Sequence, residues 1–242
     1  MTPAAEGRLV RVYVWEVPVR IAHWLIATSI MVLSATGFYI GWPFVTVSGP
    51  AGPSFFMGWV RVIHGYTAYV FIAAVLLRVI WMFTGNNYAH WDKFIPVHPS
   101  RRRGMWPTIR FYLFGPRRPP GFVGHNPLAG LAYLLVFGQY LLVIGTGLVM
   151  RGAGAPADSL LRWFTTCEGM FGGLYVVRWI HHVVMYLLLG FAVHHVYSSV
   201  LMSGVERNAT VESIFSGYKF VSEAELMEST YRFVNRRGEV DE

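Results

Sequence analysis

Six of the nine histidines of this chain fall inside long apolar stretches, among them His23, His64, His181 and His195. An imidazole surrounded by hydrocarbon is costly unless a cofactor, a proton path or a polar neighbour takes it up. His181 and His195 are fourteen residues apart in one stretch, close to four helical turns, so they share a face and stand about 21 Å apart along the axis. Such a pair can serve two cofactors at two depths. Haem iron takes two axial donors from opposite faces, and two neutral imidazoles give a six-coordinate centre suited to electron transfer rather than oxygen binding. The sequence has no Cys-x-x-Cys-His attachment motif, so the haem class is b-type.

Side chains at two depths need helices that cross a membrane to hold them. The chain has 242 residues, 54% hydrophobic and 14% charged, and the apolar residues come in blocks rather than in amphipathic patterns. Spans of about 20 apolar residues cross a bilayer core, and four qualify: Ile21 to Gly41, Val62 to Thr84, Leu128 to Met150 and Val176 to Met202. The first exceeds a signal-peptide core and lacks a clear small-residue cleavage site, so it is expected to remain as a helix. The expected fold is all-α, an integral membrane four-helix bundle binding two haems b, as one domain over residues 1–242. A long linker from Gly85 to Pro127, rich in Pro, Trp and Arg, is expected to lie along the membrane surface. The loop after Arg151 is expected to hold a short interfacial helix over Ser159 to Phe164.

Fifteen of the 20 basic residues lie in the N-terminal segment (Arg8, Arg11, Arg20), the second loop (Lys93 to Arg118) and the tail (Arg207 to Arg237). The positive-inside rule then puts both termini in the cytoplasm. The net charge of +7 is therefore mostly a topology signal, with attraction to anionic lipid headgroups as a second effect. Nucleic acid is not an expected partner. The single cysteine, Cys167, excludes an intramolecular disulfide and a cysteine-ligated iron–sulfur cluster.

Chain direction fixes depth. His64 and His181 begin helices that start outside, so they can clamp one haem near the outer face. His23 begins a helix that starts inside and His195 ends one that returns there, so they can clamp another near the inner face. Two doubled positions complicate the register. His182 and His194 lie about 120° off a shared face, whereas His181 and His195 are about 40° apart, so the latter pair is preferred. His182 is assigned a hydrogen bond to a propionate or a partner, and His194 a polar contact between helices. His90, His98 and His125 read as ordinary surface residues of the linker.

Small and charged residues fit the same picture. Gly37 is fourteen residues from His23, where a porphyrin could press against the helix, although helix packing also prefers small residues. Arg78 stands near the inner end of the second helix. An arginine there needs an anion, and an inner-haem propionate competes with snorkelling to the headgroups. Arg61 and Arg178 can serve the outer propionates and Arg20 the inner ones. A transporter that uses the histidines as proton relays without haem is a different class open to the same residues, as is a purely structural anchor.

The segments RIAHWLIATSIMVLSATGFYIG, IHGYTAYVFIAAVLLRVIWMFTGNNYAHW, WIHHVVMYLLLGFAVHHVY and MSGVERNATVESIFSGYKF together resemble the b-type cytochrome subunit of membrane-bound [NiFe] hydrogenases. The likeness covers nearly the full chain. Its most discriminating pieces are RVIWMFTGNNYA and the SG to SGYK tail, because the histidine pattern is shared with the gamma subunit of respiratory formate dehydrogenases and related cytochromes b, including those of thiosulfate-type reductases. The resemblance implies a dihaem anchor in the bacterial inner membrane that takes electrons from the small iron–sulfur subunit of a periplasmic hydrogenase and passes them to quinone. It matches the family's ligands to His23, His64, His181 and His195, with His194 as a departure. It implies that hydrogen is activated in the large [NiFe] subunit, because this chain has no cysteine pair to hold nickel. By analogy with related enzymes, the quinone site is expected on the inner side, near His23, Arg20 and the linker aromatics.

Overall fold

In hydrocarbon each crossing segment must satisfy its own backbone N–H and C=O groups, and a helix does so alone. A computed structural model describes residues 9–44, 55–95, 99–115, 123–124, 126–206, 208–223 and 226. In chain order the elements are β1 (Leu9–Tyr13), α1 (Val17–Gly41), α2 (Phe56–Thr84), a 3-10 turn η1 (Trp91–Lys93), α3 (Pro99–Phe114), α4 (Pro127–Ala153), a 3-10 helix η2 (Leu160–Phe171), α5 (Leu174–Glu206), α6 (Thr210–Ser216) and β2 (Tyr218–Ser222). The four apolar stretches are α1, α2, α4 and α5, each long and apolar enough to cross a membrane. Their outward residues include Met31, Leu76, Ile80, Leu135 and Leu141, all exposed, which is a surface matched to lipid rather than to water. The chain is an all-α membrane four-helix bundle.

The helices run past the expected ends. Beyond the apolar run, α2 adds Phe56, Trp59 and Arg61, and α5 adds Leu174 and Tyr175 at its start. Aromatic and basic residues of this kind belong to the membrane–water interface, and a count of apolar residues passes over them. The short helix expected over Ser159 to Phe164 is instead the longer η2. Ser159 caps it, its Oγ accepting from the Leu161 N–H at 3.3 Å, and Gly172 closes it in the left-handed region at φ 83°. The long linker contains η1 and α3; His98 and His125 lie outside the described residues.

The chain forms two compact units. One is made of Ile21–Leu77 and Val136–His194, and thus of the larger part of the four long helices. The other is made of Met1–Arg20, Arg78–Leu135 and His195–Glu242, and holds a small sheet in which β1 and β2 pair antiparallel from Leu9 opposite Ser222 to Tyr13 opposite Tyr218. Behind this sheet Val14, Trp15, Val19, Ala89, Val123 and Val221 form a buried apolar cluster.

Polar bonds tie that cluster together. One Glu16 carboxylate oxygen accepts from the Trp81 indole N–H at 2.9 Å and from the Asn86 backbone N–H at 2.7 Å. The Asn86 side chain donates to the Val14 carbonyl at 3.1 Å. The Trp15 indole donates to Ser213 Oγ at 3.0 Å. Gly217 turns the chain into β2 at φ 88°, and its carbonyl accepts from the N–H groups of Val14 and Trp15 at 2.8 and 3.1 Å. A Cβ there would come within 2.6 Å of the Tyr13 ring. The two sequence pieces that carried the resemblance, around Asn86 and around Gly217, are thus the ones that hold β1 and the start of α1.

Candidate functional site

Two threonines inside apolar helices organise the unit that holds His64 and His181. Thr36 of α1 gives its hydroxyl proton back to its own helix, with the Val32 carbonyl at 2.7 Å and the Leu33 carbonyl at 3.1 Å. Its oxygen also lies 2.8 Å from Nδ1 of His64 on α2. Thr146 of α4 repeats the arrangement with the Leu142 and Val143 carbonyls at 2.7 and 3.1 Å and Nδ1 of His181 on α5 at 2.9 Å. A hydroxyl has one proton, and with a carbonyl at 2.7 Å to take it the ring nitrogen is assigned as the donor of the third bond. That assignment gives both imidazoles the tautomer with the proton on Nδ1 and the lone pair on Nε2.

The glycine after each threonine makes room for the ring it braces. A Cβ on Gly37 would stand 3.6 Å from Cε1 of His64 and 3.6 Å from the Met185 sulfur, and one on Gly147 would stand 3.3 Å from Cε1 of His181. Thus Ala35-Thr36-Gly37 and Gly145-Thr146-Gly147 are two copies of one device, a brace for Nδ1 and a gap for the ring edge. Gly37, expected to face a porphyrin, lies against the His64 ring.

The remaining sequence candidates are placed as follows. His182 donates from Nδ1 to the Arg178 carbonyl at 2.8 Å, and its Nε2 lies 2.8 Å from where a Gly41 Cβ would be. The expected bond to a propionate or partner is replaced at Nδ1 by this bond within α5. His23, on α1, stands edge-on to the Trp24 ring at 5.2 Å between centroids. It lies in the same unit as His64 and His181, whereas His195 lies in the other unit. His194 and His195 are both exposed on α5, as are Arg61 and Arg178 on their helices. Arg20 donates to the Phe215 carbonyl.

Arg78 does not snorkel. It is buried, donates from both terminal nitrogens to the Ala89 carbonyl at 3.4 Å, and lies over the rings of Phe94 and Tyr133 at 5.4 and 5.2 Å. Those rings stack on each other at 4.1 Å between centroids, and both faces lie within cation–π range of the guanidinium. Outside the spans, Asp92 of η1 pairs with Lys93 at 2.6 Å and with His90 at 2.9 Å. Burial alone would raise its carboxyl, but the bonds from Lys93 and His90 outweigh burial and hold it below the ordinary value.

Among the described residues no group of three or more His, Cys, Asp or Glu side chains gathers around a point. Two imidazoles with Nε2 lone pairs instead fit an iron that already has four equatorial donors in a macrocycle. A membrane four-helix bundle with two such imidazoles fits a cytochrome of the b class. The chain belongs to the prokaryotic cytochrome b561 family, whose model matches residues 14–217. It is 37% identical to the "Probable Ni/Fe-hydrogenase B-type cytochrome subunit" of Azotobacter vinelandii, over 75% of this chain and 77% of that protein. It is 36% identical to the "Probable Ni/Fe-hydrogenase 1 B-type cytochrome subunit" of Escherichia coli K12, over 75% and 79%. The similarly named subunit of Cupriavidus necator is 36% identical over 78% and 79%.

Sequence reasoning missed the threonines and Glu16. A signal for the first was present, because each stands between small residues, Ala35 and Gly37 or Gly145 and Gly147, in an apolar helix one span before a histidine. No local signal marks Glu16, whose partners lie 65 and 70 residues away.

Proposed function

We propose that this chain is the dihaem cytochrome b subunit that anchors a periplasmic [NiFe] hydrogenase to the bacterial inner membrane and carries its electrons to quinone. The observation that carries the reading is the matched pair His64 and His181, each with Nδ1 bonded to a threonine and Nε2 left for iron. The names of the relatives support the hydrogenase as partner. A haem b bound there supplies a one-electron couple between ferrous and ferric iron.

The protein's own residues do the rest. His64 and His181 would hold an outer haem, and Arg61 and Arg178 would serve its propionates. His23 and His195 would hold an inner haem, with Arg20 and Arg78 to serve its propionates; a buried guanidinium held by one carbonyl and two ring faces favours an anion beside it. The four apolar helices would keep bound haem out of water, and haem would supply the one-electron couple that carries charge through hydrocarbon. Both termini and the basic linker face the cytoplasm, where anionic lipid attracts Lys and Arg. The hydrogenase small subunit docks on the outer side and the large subunit activates hydrogen. Quinone is reduced on the inner side, near His23, Arg20 and the linker aromatics.

The test is a pyridine haemochrome count on the purified subunit, with identification of the proteins that copurify. Two haems b and a hydrogenase are the expected outcome. No Soret band, with transport that survives haem depletion, would instead support the histidine-relay reading; a copurifying formate dehydrogenase or thiosulfate-type reductase would change the partner and keep the conduit. In the assembled complex, His64→Ala or His181→Ala is expected to stop hydrogen-dependent quinone reduction while dye reduction by the hydrogenase continues. Unchanged quinone reduction would make the chain a structural anchor.

A further inference from the structure

The structure assigns Thr36 and Thr146 as a matched pair of positioning residues that hold both axial imidazoles of one haem in the Nδ1–H form and lower that haem's reduction potential. The inference rests on the proposed ligation by His64 and His181 and adds to it two residues on the two other long helices.

The geometry is nearly identical on both sides. Each threonine oxygen stands 2.8 or 2.9 Å from an imidazole Nδ1, and each has a carbonyl of its own helix at 2.7 Å to take its proton, which leaves the oxygen as the acceptor for Nδ1. Thr146 is fully buried and Thr36 half-buried, so no water competes for the lone pair of the former. The bond has two consequences. It fixes the tautomer, because the only nitrogen without a proton is Nε2. It also makes the ligand more basic, because an N–H that donates a hydrogen bond leaves more electron density on the ring. A more basic imidazole stabilises ferric iron more than ferrous iron, which holds the potential down.

A plain packing role would need none of this. Valine has the shape of threonine without the acceptor, and serine keeps the acceptor without the methyl group. Thr36→Val and Thr146→Val should therefore each move the equilibrium toward the reduced form by up to about tenfold, equal to about 59 mV for a one-electron couple. Thr36→Ser and Thr146→Ser should leave it at the wild-type value. Because both threonines act on one iron, the double valine variant should show the two shifts added in the same wave of the titration, with the other haem unmoved.

The experiment is a spectroelectrochemical redox titration of the full-length subunit in its hydrogenase complex, following the haem α-band. Shifts in one shared wave, restored by serine, support the assignment. Haem present with potentials unchanged in both valine variants would overturn it, as would shifts in two different waves. If a valine variant binds no haem, the Ser and Cys variants decide: the weaker sulfur acceptor should place Cys above Ser in potential, and equal potentials would overturn the assignment. A wild-type complex with no haem would instead overturn the ligation on which the assignment rests, so the two failures are distinguishable.

Discussion

Gly147→Ala should disturb the His181 ring, while Gly37→Ala at the equivalent place should leave the His64 ring undisturbed. Both add the same methyl group to a helix after a bracing threonine. On Gly37 the new carbon would stand 3.6 Å from Cε1 of His64 and from the Met185 sulfur, which is ordinary van der Waals distance, and replacing a helical glycine gains about 0.5–1 kcal/mol in backbone entropy. On Gly147 it would stand 3.3 Å from Cε1 of His181, so the ring must move away by a few tenths of an ångström. The Thr146 bond at 2.9 Å then lengthens toward the limit of a good hydrogen bond, and its net worth of about 1 kcal/mol is partly lost, cancelling the helix gain. The assay is thermal loss of the Soret band in detergent for wild type and the two variants. Gly37→Ala should melt at or above wild type, and Gly147→Ala below Gly37→Ala with a broadened ferric EPR signal. Equal melting and unaltered EPR in both would refute the account of these glycines as fitted to the rings.

Three further outcomes are expected. Glu16→Leu removes the acceptor of two hydrogen bonds, which to a charged group are worth about 1.5–3 kcal/mol each; hydrogen exchange at the Asn86 amide should rise strongly, and unchanged protection would contradict the network. Gly217→Ala puts a Cβ 2.6 Å from the Tyr13 ring at a φ of 88°; it should lower the yield of assembled protein while Gly190→Ala, which meets no neighbour, does not. Asp92 has a folded pKa below its ordinary 3.8, so its stabilisation of η1 is complete above the unfolded value and is lost as pH falls through the lower folded value. Protection of the Lys93 and Phe94 amides, which donate to His90 and Trp91 carbonyls, should hold down to about pH 4; loss near neutrality would contradict that sign.

What could be read from the sequence divides by range. The four helices were legible because a crossing segment must be apolar and continuous, and their ends were not, because Trp59 and Tyr175 are interface residues rather than apolar ones. The proposed pairing of His64 with His181 came from chain direction, which sets depth. Their hydrogen-bond partners were not legible, since the hydroxyls of Thr36 and Thr146 lie 28 and 35 residues away. The β1–β2 sheet joins the two ends of the described chain, Leu9 to Ser222, and two five-residue strands without a clear local pattern announce no partner. Arg78 was seen as a charge needing a partner. The carbonyl and two rings around it come from the linker and α4, which no spacing along α2 could reveal.

The central claim is that His64 and His181 hold one haem between them while His23 and His195 hold another. Haem stoichiometry in wild type, His64→Ala, His181→Ala and the double variant His64→Ala/His181→Ala tests it most directly. The account predicts two haems in wild type and one in each of the three variants, with the same redox wave missing from all three. Two different waves missing from the two single variants, or a double variant that loses more haem than either single one, would contradict the pairing.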